Sequence, residues 1–206
     1  MTVNSAARYK GSTWEVFIDG NRIYLHKEIV ADYGLRPGAE ISPERYEEMM
    51  IASDRRRATE RGLYLLDYRD YSYSELFKKL NENYDEDTCY YVLNKLVSLG
   101  LINDRRYAEN LARKYMEVQK YGYYRASNEM YRKGLDRDLV AEVLSTYDEG
   151  TAERICEIIR QKYSGYLDDP DKVRRMKNAL ARRGYSFSDI NEAVRMMECA
   201  DYDEYE

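Results

Sequence analysis

Arg132-Lys133-Gly134-Leu135-Asp136 and Arg182-Arg183-Gly184-Tyr185-Ser186 are the stretches on which the reading of this chain turns. Each closes a helix with an apolar stripe, breaks at a glycine and opens a second such helix. Met130 precedes the first break and Val143-Leu144 follow it; Leu180 precedes the second and Ala193-Val194 follow. An earlier copy runs from Glu75-Leu76 to Leu80, breaks at Tyr84-Asp85-Glu86 and resumes at Val92-Leu93. The period is about fifty residues, that of a helical repeat. A unit of this size with an exposed apolar face must stack on its neighbours, so the spacing predicts a quasi-linear array. Such arrays present long surfaces to partners, which argues for binding over catalysis.

Working outward, local signals set the helices. Ser72-Tyr73-Ser74-Glu75 is a capping box, in which serine accepts from the backbone and glutamate reaches back. The next helix carries Cys89, Val92, Leu93, Leu96 and Leu99 at helical spacing and stops at Gly100. Asn103 caps a helix over 104–118, with Tyr107, Leu111 and Tyr115 inward, and Lys120-Tyr121-Gly122 ends it. Helices over 124–132 and 136–147 complete the second unit. The third starts near Thr151, continues through the cap-then-proline pair Asp169-Pro170, and ends with the capping box Ser186-Phe187-Ser188-Asp189. Each unit is thus a trio of helices.

Before the array, Asp19-Gly20 separates Trp14–Ile18 from Arg22–His26 and reads as a hairpin turn. Residues 1–12 carry little pattern and read as frayed. Ser42-Pro43-Glu44 opens a helix to Tyr68, with Ala58, Leu63 and Leu66 on its buried side and Gly62 as a local weak point. The fold class is therefore mainly α: an elongated array of three-helix repeats behind a small N-terminal β-hairpin and helix. The boundaries are 1–53 for that extension, 54–100, 101–149 and 150–198 for the repeats, and 199–206 for an acidic disordered tail.

Composition narrows the function. The 206 residues carry a formal net charge of −5, with 34% charged and 44% hydrophobic residues. The acids of 198–206 account for that excess, so the body is neutral overall and leaves room for local basic stripes. There is no run of eighteen apolar residues and no basic-then-apolar leader, so a cytoplasmic protein without a membrane span is expected. The three cysteines form no C-x-x-C pair and suit a reduced compartment.

Catalytic chemistry has little support. The single histidine, His26, lies in the hairpin and reads as a packing or surface residue. Asp168-Asp169-Pro170-Asp171 lacks the glycine and closing glutamate of a calcium loop and reads as a cap. No nucleotide, nucleophile or zinc motif occurs, and no metal or cofactor is expected. Basic residues offer more. Lys172, Arg175 and Arg182 are spaced by three and seven and share one helix face, joined by Arg183; Arg125, Arg132 and Lys133 repeat the theme one unit earlier. Such side chains hold phosphates or a partner's carboxylates, or else form a solvated face. Among the 23 tyrosines, Tyr123 and Tyr124 stand beside Arg125 and are candidates for stacking on single-stranded bases.

With these residues in place, the chain resembles the RecX family, modulators of the RecA recombinase. Tyr68-Arg69-Asp70-Tyr71-Ser72 with Glu75-Leu76 is similar to the family's Arg-Asp-x-Ser-x-x-Glu-Leu segment. Gly100-Leu101-Ile102-Asn103-Asp104-Arg105-Arg106-Tyr107-Ala108 resembles its Gly-Leu-(Leu/Ile)-(Asp/Asn)-Asp-x-x-(Phe/Tyr)-Ala signature. Arg132-Lys133-Gly134-Leu135 and Arg182-Arg183-Gly184-Tyr185 resemble its basic-glycine-apolar breaks. The likeness covers about residues 55–197. The first unit departs from it: Asn81-Glu82-Asn83-Tyr84 has neither base nor glycine. Tyr123 also stands where members often have proline. The resemblance implies a non-enzymatic monomer that lies along the groove of the RecA–single-stranded DNA filament and limits filament growth, ATPase and strand exchange. The basic residues named above would be its contacts. The rival readings from the residues are a DNA-binding module that acts without RecA and a scaffold for another protein.

Overall fold

The computed structural model describes the backbone of residues 1–203 and the side chains of residues 1–199. The chain divides into two bodies, one of Met1–Asp70 with Leu76–Ile102, the other of Tyr71–Glu75 with Asn103 onward.

The first body opens with an antiparallel sheet in the order β1 (Val3–Lys10), β2 (Thr13–Ile18), β3 (Asn21–His26). The β2–β3 hairpin turns at Asp19 and Gly20, both at positive φ, as the Asp-Gly pair predicts. The expectation of a frayed start and a two-stranded hairpin is corrected by β1. It pairs with β2 from Val3↔Ile18 to Lys10↔Thr13, and the Val3 amide donates to the Ala39 carbonyl at 2.9 Å. The strand was hard to read because only Val3 is fully buried along it and its register shifts twice, which blurs the period-two pattern. Val3, Val16, Ile18 and Leu25 pack with α1 (Lys27–Asp32) and with Met49 of α2 (Pro43–Tyr68). The Ser42 hydroxyl caps α2 by accepting from the Arg45 amide at 3.2 Å, with Pro43 at the first position as expected.

Helix α2 then lies against α4 (Glu86–Ser98), with α3 (Tyr73–Asn81) before it. The inward stripe of α2 is Ser53, Ala58, Gly62 and Leu65. Leu63 is 42% exposed and Leu99, the residue that closes α4, is 60% exposed, both corrections to their expected burial. Gly62 is a contact point rather than a weakness, because a methyl there would stand 3.0 Å from Leu96 Cδ1. Asp85 caps α4 by accepting from the Thr88 amide at 2.8 Å, and that bond holds its carboxyl below the usual range.

The second body holds α5 (Asp104–Ala112), α6 (Tyr123–Arg132), α7 (Arg137–Ser145), α8 (Thr151–Lys162), α9 (Pro170–Arg182) and α10 (Phe187–Asp203). The helix expected over 104–118 is present, but its last six residues, Arg113–Val118, widen into a π-helix. Two apolar cores form. Tyr107, Leu111, Met130 and Leu144 centre one; Ile155, Met176, Leu180 and Ile190 centre the other. Each large aliphatic side chain buried in them contributes about 1.5–3 kcal/mol. The Ser186 hydroxyl accepts from the Asp189 amide at 3.0 Å, as its capping box predicts. Of the disordered acidic tail expected over 199–206, residues up to Asp203 continue α10 as helix, and 204–206 lie outside the described residues. No helix among the described residues is long and apolar enough to cross a membrane.

Candidate functional site

The basic-glycine breaks are joints. Gly184 ends α9 at φ +95, which presents its carbonyl to the next-door start of α6. The Gly122 amide donates to the Arg183 carbonyl at 2.9 Å and the Tyr124 amide to the Gly184 carbonyl at 3.1 Å. The unpaired amides at the start of one helix thus find the unpaired carbonyls at the end of another. Both glycines are required by space: a methyl on Gly184 would stand 2.3 Å from the Arg125 amide nitrogen. The Arg183 guanidinium completes the joint, donating to the carbonyls of Gln119 at 3.2 Å and Lys120 at 3.3 Å. The Tyr185 hydroxyl also donates to the Lys120 carbonyl, at 3.1 Å.

A related joint, with a serine hydroxyl in place of backbone amides as donor, occurs where residues 71–75, at the start of α3, meet the end of α6. The Ser72 hydroxyl donates to the Lys133 carbonyl at 2.5 Å and accepts from the Glu75 amide at 3.0 Å. Gly134, at φ +73, leaves no room for a Cβ, which would lie 2.7 Å from that of Ser74. Lys133 Nζ sits 3.3 Å from Glu75 Oε1, and the Tyr107 hydroxyl donates to Glu75 Oε2 at 3.2 Å. Asp104 accepts the Tyr73 amide at 2.8 Å; burial raises its carboxyl above the usual range, and that hydrogen bond only partly opposes the rise.

In each basic pair, then, the second residue turns into a joint and the first turns to solvent. Lys133 and Arg183 are half-buried; Arg132 and Arg182 are exposed. Sequence alone could not divide the pairs, because both members are long cations in the same motif. The available signal was the small or hydroxyl-bearing residue at the start of the docking helix, Gly122 in one joint and Ser72 in the other.

The outward residues meet in one groove of about 350 Å³ along α6, lined by Tyr124, Arg125, Asn128, Glu129, Arg132 and Arg182. Arg125 lies 4.0 Å above the Tyr121 ring, which fixes its stem by a cation–π contact. Arg132 is 76% exposed and shares Glu129 at 3.3 Å, a surface pair of little energetic weight. Arg182 has no ion-pair partner among the described residues. Tyr124 is 59% exposed at the rim of this groove, whereas Tyr123 is half-buried against the first of the two cores and meets Tyr124 edge to face at 5.7 Å. Of the two tyrosines, Tyr124 alone offers an open ring. On α9, Arg175 is exposed, and Lys172 stands 3.9 Å from its own cap residue Asp169. Arg105, by contrast, is held bidentately by Glu142 at 2.8 and 2.9 Å. The described residues contain no cluster of side chains suited to a metal ion.

Trios of helices whose starts and ends meet at glycine joints define a helical-repeat fold. Comparison with known proteins gives the family. Models of the first, second and third three-helix domains of RecX match residues 58–96, 103–144 and 148–194. A relative from Prosthecochloris aestuarii named "Regulatory protein RecX" is 30% identical over 148 residues, covering 70% of this chain and 96% of the relative. One of the same name from Clostridioides difficile is 25% identical, covering 89% and 87%. The crystal structure of RecX from Lactobacillus salivarius superposes with a TM-score of 0.67 at 26% identity, covering 72% of this chain and 99% of that one. The chain belongs to the RecX family, whose members are regulatory proteins and not enzymes.

Proposed function

We infer that this protein regulates RecA by binding the RecA–single-stranded DNA filament and limiting its growth, ATPase and strand exchange. Membership of a regulatory family supports the coarse reading. The observation that carries the finer one is the groove in which Arg125, Arg132 and Arg182 gather beside the open ring of Tyr124. Cations next to an exposed aromatic suit a surface made of both phosphate and protein, since guanidinium groups take phosphate or carboxylate oxygens and a free ring accepts a base. Lys172 and Arg175 extend this charge along α9. Lys133 and Arg183 serve the same surface by holding it in place, and Tyr123 backs Tyr124. Repeated units touching successive protomers would add avidity to weak single contacts.

The test is RecA ATPase on single-stranded DNA with increasing amounts of the purified protein, beside titration of the DNA alone at two salt concentrations. Inhibition with weak binding to bare DNA supports filament recognition. Tight binding to bare DNA with a steep salt slope and no effect on RecA would instead make the chain an independent DNA-binding module.

A further inference from the structure

A second surface lies in the first body. Helices α2 and α4, with Tyr33 after α1, border a cleft of about 680 Å³. Its aliphatic lining on α2 is Ile51 and Leu63, 43% and 42% exposed, at the two ends of the stretch, with Ala52, Arg55 and Thr59 between them. They are twelve residues apart, which on a helix is about 18 Å. The walls are Tyr33 and Tyr91.

The charge in this cleft is not balanced. Arg56 is neutralised, by Glu28 at 2.5 Å and Glu60 at 3.2 Å. Arg55 and Lys95 have no carboxylate partner among the described residues. The Arg55 guanidinium is laid over the Tyr91 ring at 4.2 Å, and its Nε is buried without a hydrogen-bond acceptor. Tyr91 and Lys95 are one turn apart on α4, so the two cations flank the same stretch of the cleft. Glu48 lies two turns of α2 before Arg55 and Glu60 five residues after it, so Arg55 stands in the middle of the cleft.

We propose that this cleft docks an amphipathic helix of a partner protein, with apolar side chains seated on Ile51 and Leu63 and a carboxylate between Arg55 and Lys95. The length of this lining matches three turns of helix, the usual span of a helix-in-groove contact. The exposed aliphatic side chains of Ile51 and Leu63 favour an apolar partner face over the sugar-phosphate backbone of a nucleic acid. This surface is independent of the filament reading, so either can fail without the other.

The probe is a labelled 14-residue helical peptide with leucine at positions 1, 4, 8 and 11 and glutamate on the flanks, followed by fluorescence polarisation against the full chain. The controls are the same peptide with lysine for glutamate, and a 12-nucleotide oligo-dT. The acidic peptide should bind saturably and at least tenfold more tightly than its lysine counterpart. Lys95→Gln and Ile51→Ser should each weaken it at least fivefold. Both side chains are exposed, so these variants keep the fold, which a thermal melt verifies. Arg55→Gln should weaken it further. Absence of saturable binding, indifference to Lys95→Gln and Ile51→Ser, or displacement of the peptide by oligo-dT would each overturn the proposal.

Discussion

Gly122 and Gly184 meet backbone to backbone: a methyl on Gly122 would stand 2.3 Å from the Gly184 carbonyl oxygen. Gly122 takes an ordinary extended conformation at φ −82, so only space forbids a side chain there. Gly122→Ala should therefore push α6 off the end of α9 and cost about 1–3 kcal/mol, the usual range for forcing a methyl into a packed contact. Gly184→Ala should cost more, because it adds the strain of a positive φ. Urea unfolding measures both, and hydrogen exchange should show protection lost first at residues 119–125 and 183–186.

The equivalent joint can be weakened without steric damage. Ser72 is fully buried and both donates to the Lys133 carbonyl and accepts from the Glu75 amide. Ser72→Ala leaves those two backbone groups unpaired and should cost about 1–3 kcal/mol. A Thr replacement, which retains the hydroxyl, should recover part of the loss. Equal losses for both variants would show that the site senses volume and not hydrogen bonding.

Members of each basic pair should separate by phenotype. Arg132→Glu and Arg182→Glu change exposed side chains and should alter stability by no more than about 0.5 kcal/mol, while reducing inhibition of RecA ATPase. Arg183→Gln removes donors to Gln119 and Lys120 and should lower the melting temperature. Identical behaviour of Arg182 and Arg183 variants in both assays would contradict the division.

Acid should act on the fold in two opposed ways. The carboxyls of Asp85 and Glu142 are held below their usual range, by the Thr88 amide in one case and by hydrogen bonding to Arg105 in the other. Their contribution is full above the ordinary carboxylate range and is lost as pH falls through the lowered values. Asp104 is the reverse: burial raises its carboxyl, so its ionised form burdens the fold at neutral pH and protonation relieves it. Asp104→Asn, which keeps the acceptor for the Tyr73 amide, should raise the melting temperature at pH 7, and the difference should close as pH is lowered through the raised value. A constant difference across that range would reject the assignment.

Thiol reactivity should follow burial. Cys89 and Cys156 are buried with their thiols pushed up by desolvation, while Cys199 is exposed. A disulfide-exchange reagent should label Cys199 rapidly in the native protein and reach the other two only on unfolding. Fast labelling of a Cys199→Ser variant would contradict the packing described.

The helical trios were legible because their signals are local and redundant. Ser72, Asn103, Asp169 and Ser186 each accept a backbone amide where a cap was expected, and apolar residues such as Val92, Leu93 and Leu96 bury as read. Strand β1 was not, since an edge strand with one fully buried side chain barely alternates. Leu63 was misplaced because a helix stripe read by hydrophobicity ignores small residues; α4 approaches α2 over Ala58 and Gly62, and Leu63 is rotated outward. The site was legible as residue types only. That Arg182 faces solvent while Arg183 is spent inside depends on the path of residues 119–122, more than sixty positions earlier in the chain.

The joint also gives the series a direction. Each coupling needs a helix start that plugs in and a glycine-ended helix that receives it, and the trio containing α3 lacks the receiving half. Its helix ends at Asn81, followed by Glu82-Asn83-Tyr84, where no residue adopts positive φ. Coupling of this kind thus runs one way along the sequence, the glycine end of each later trio receiving the helix start of an earlier one.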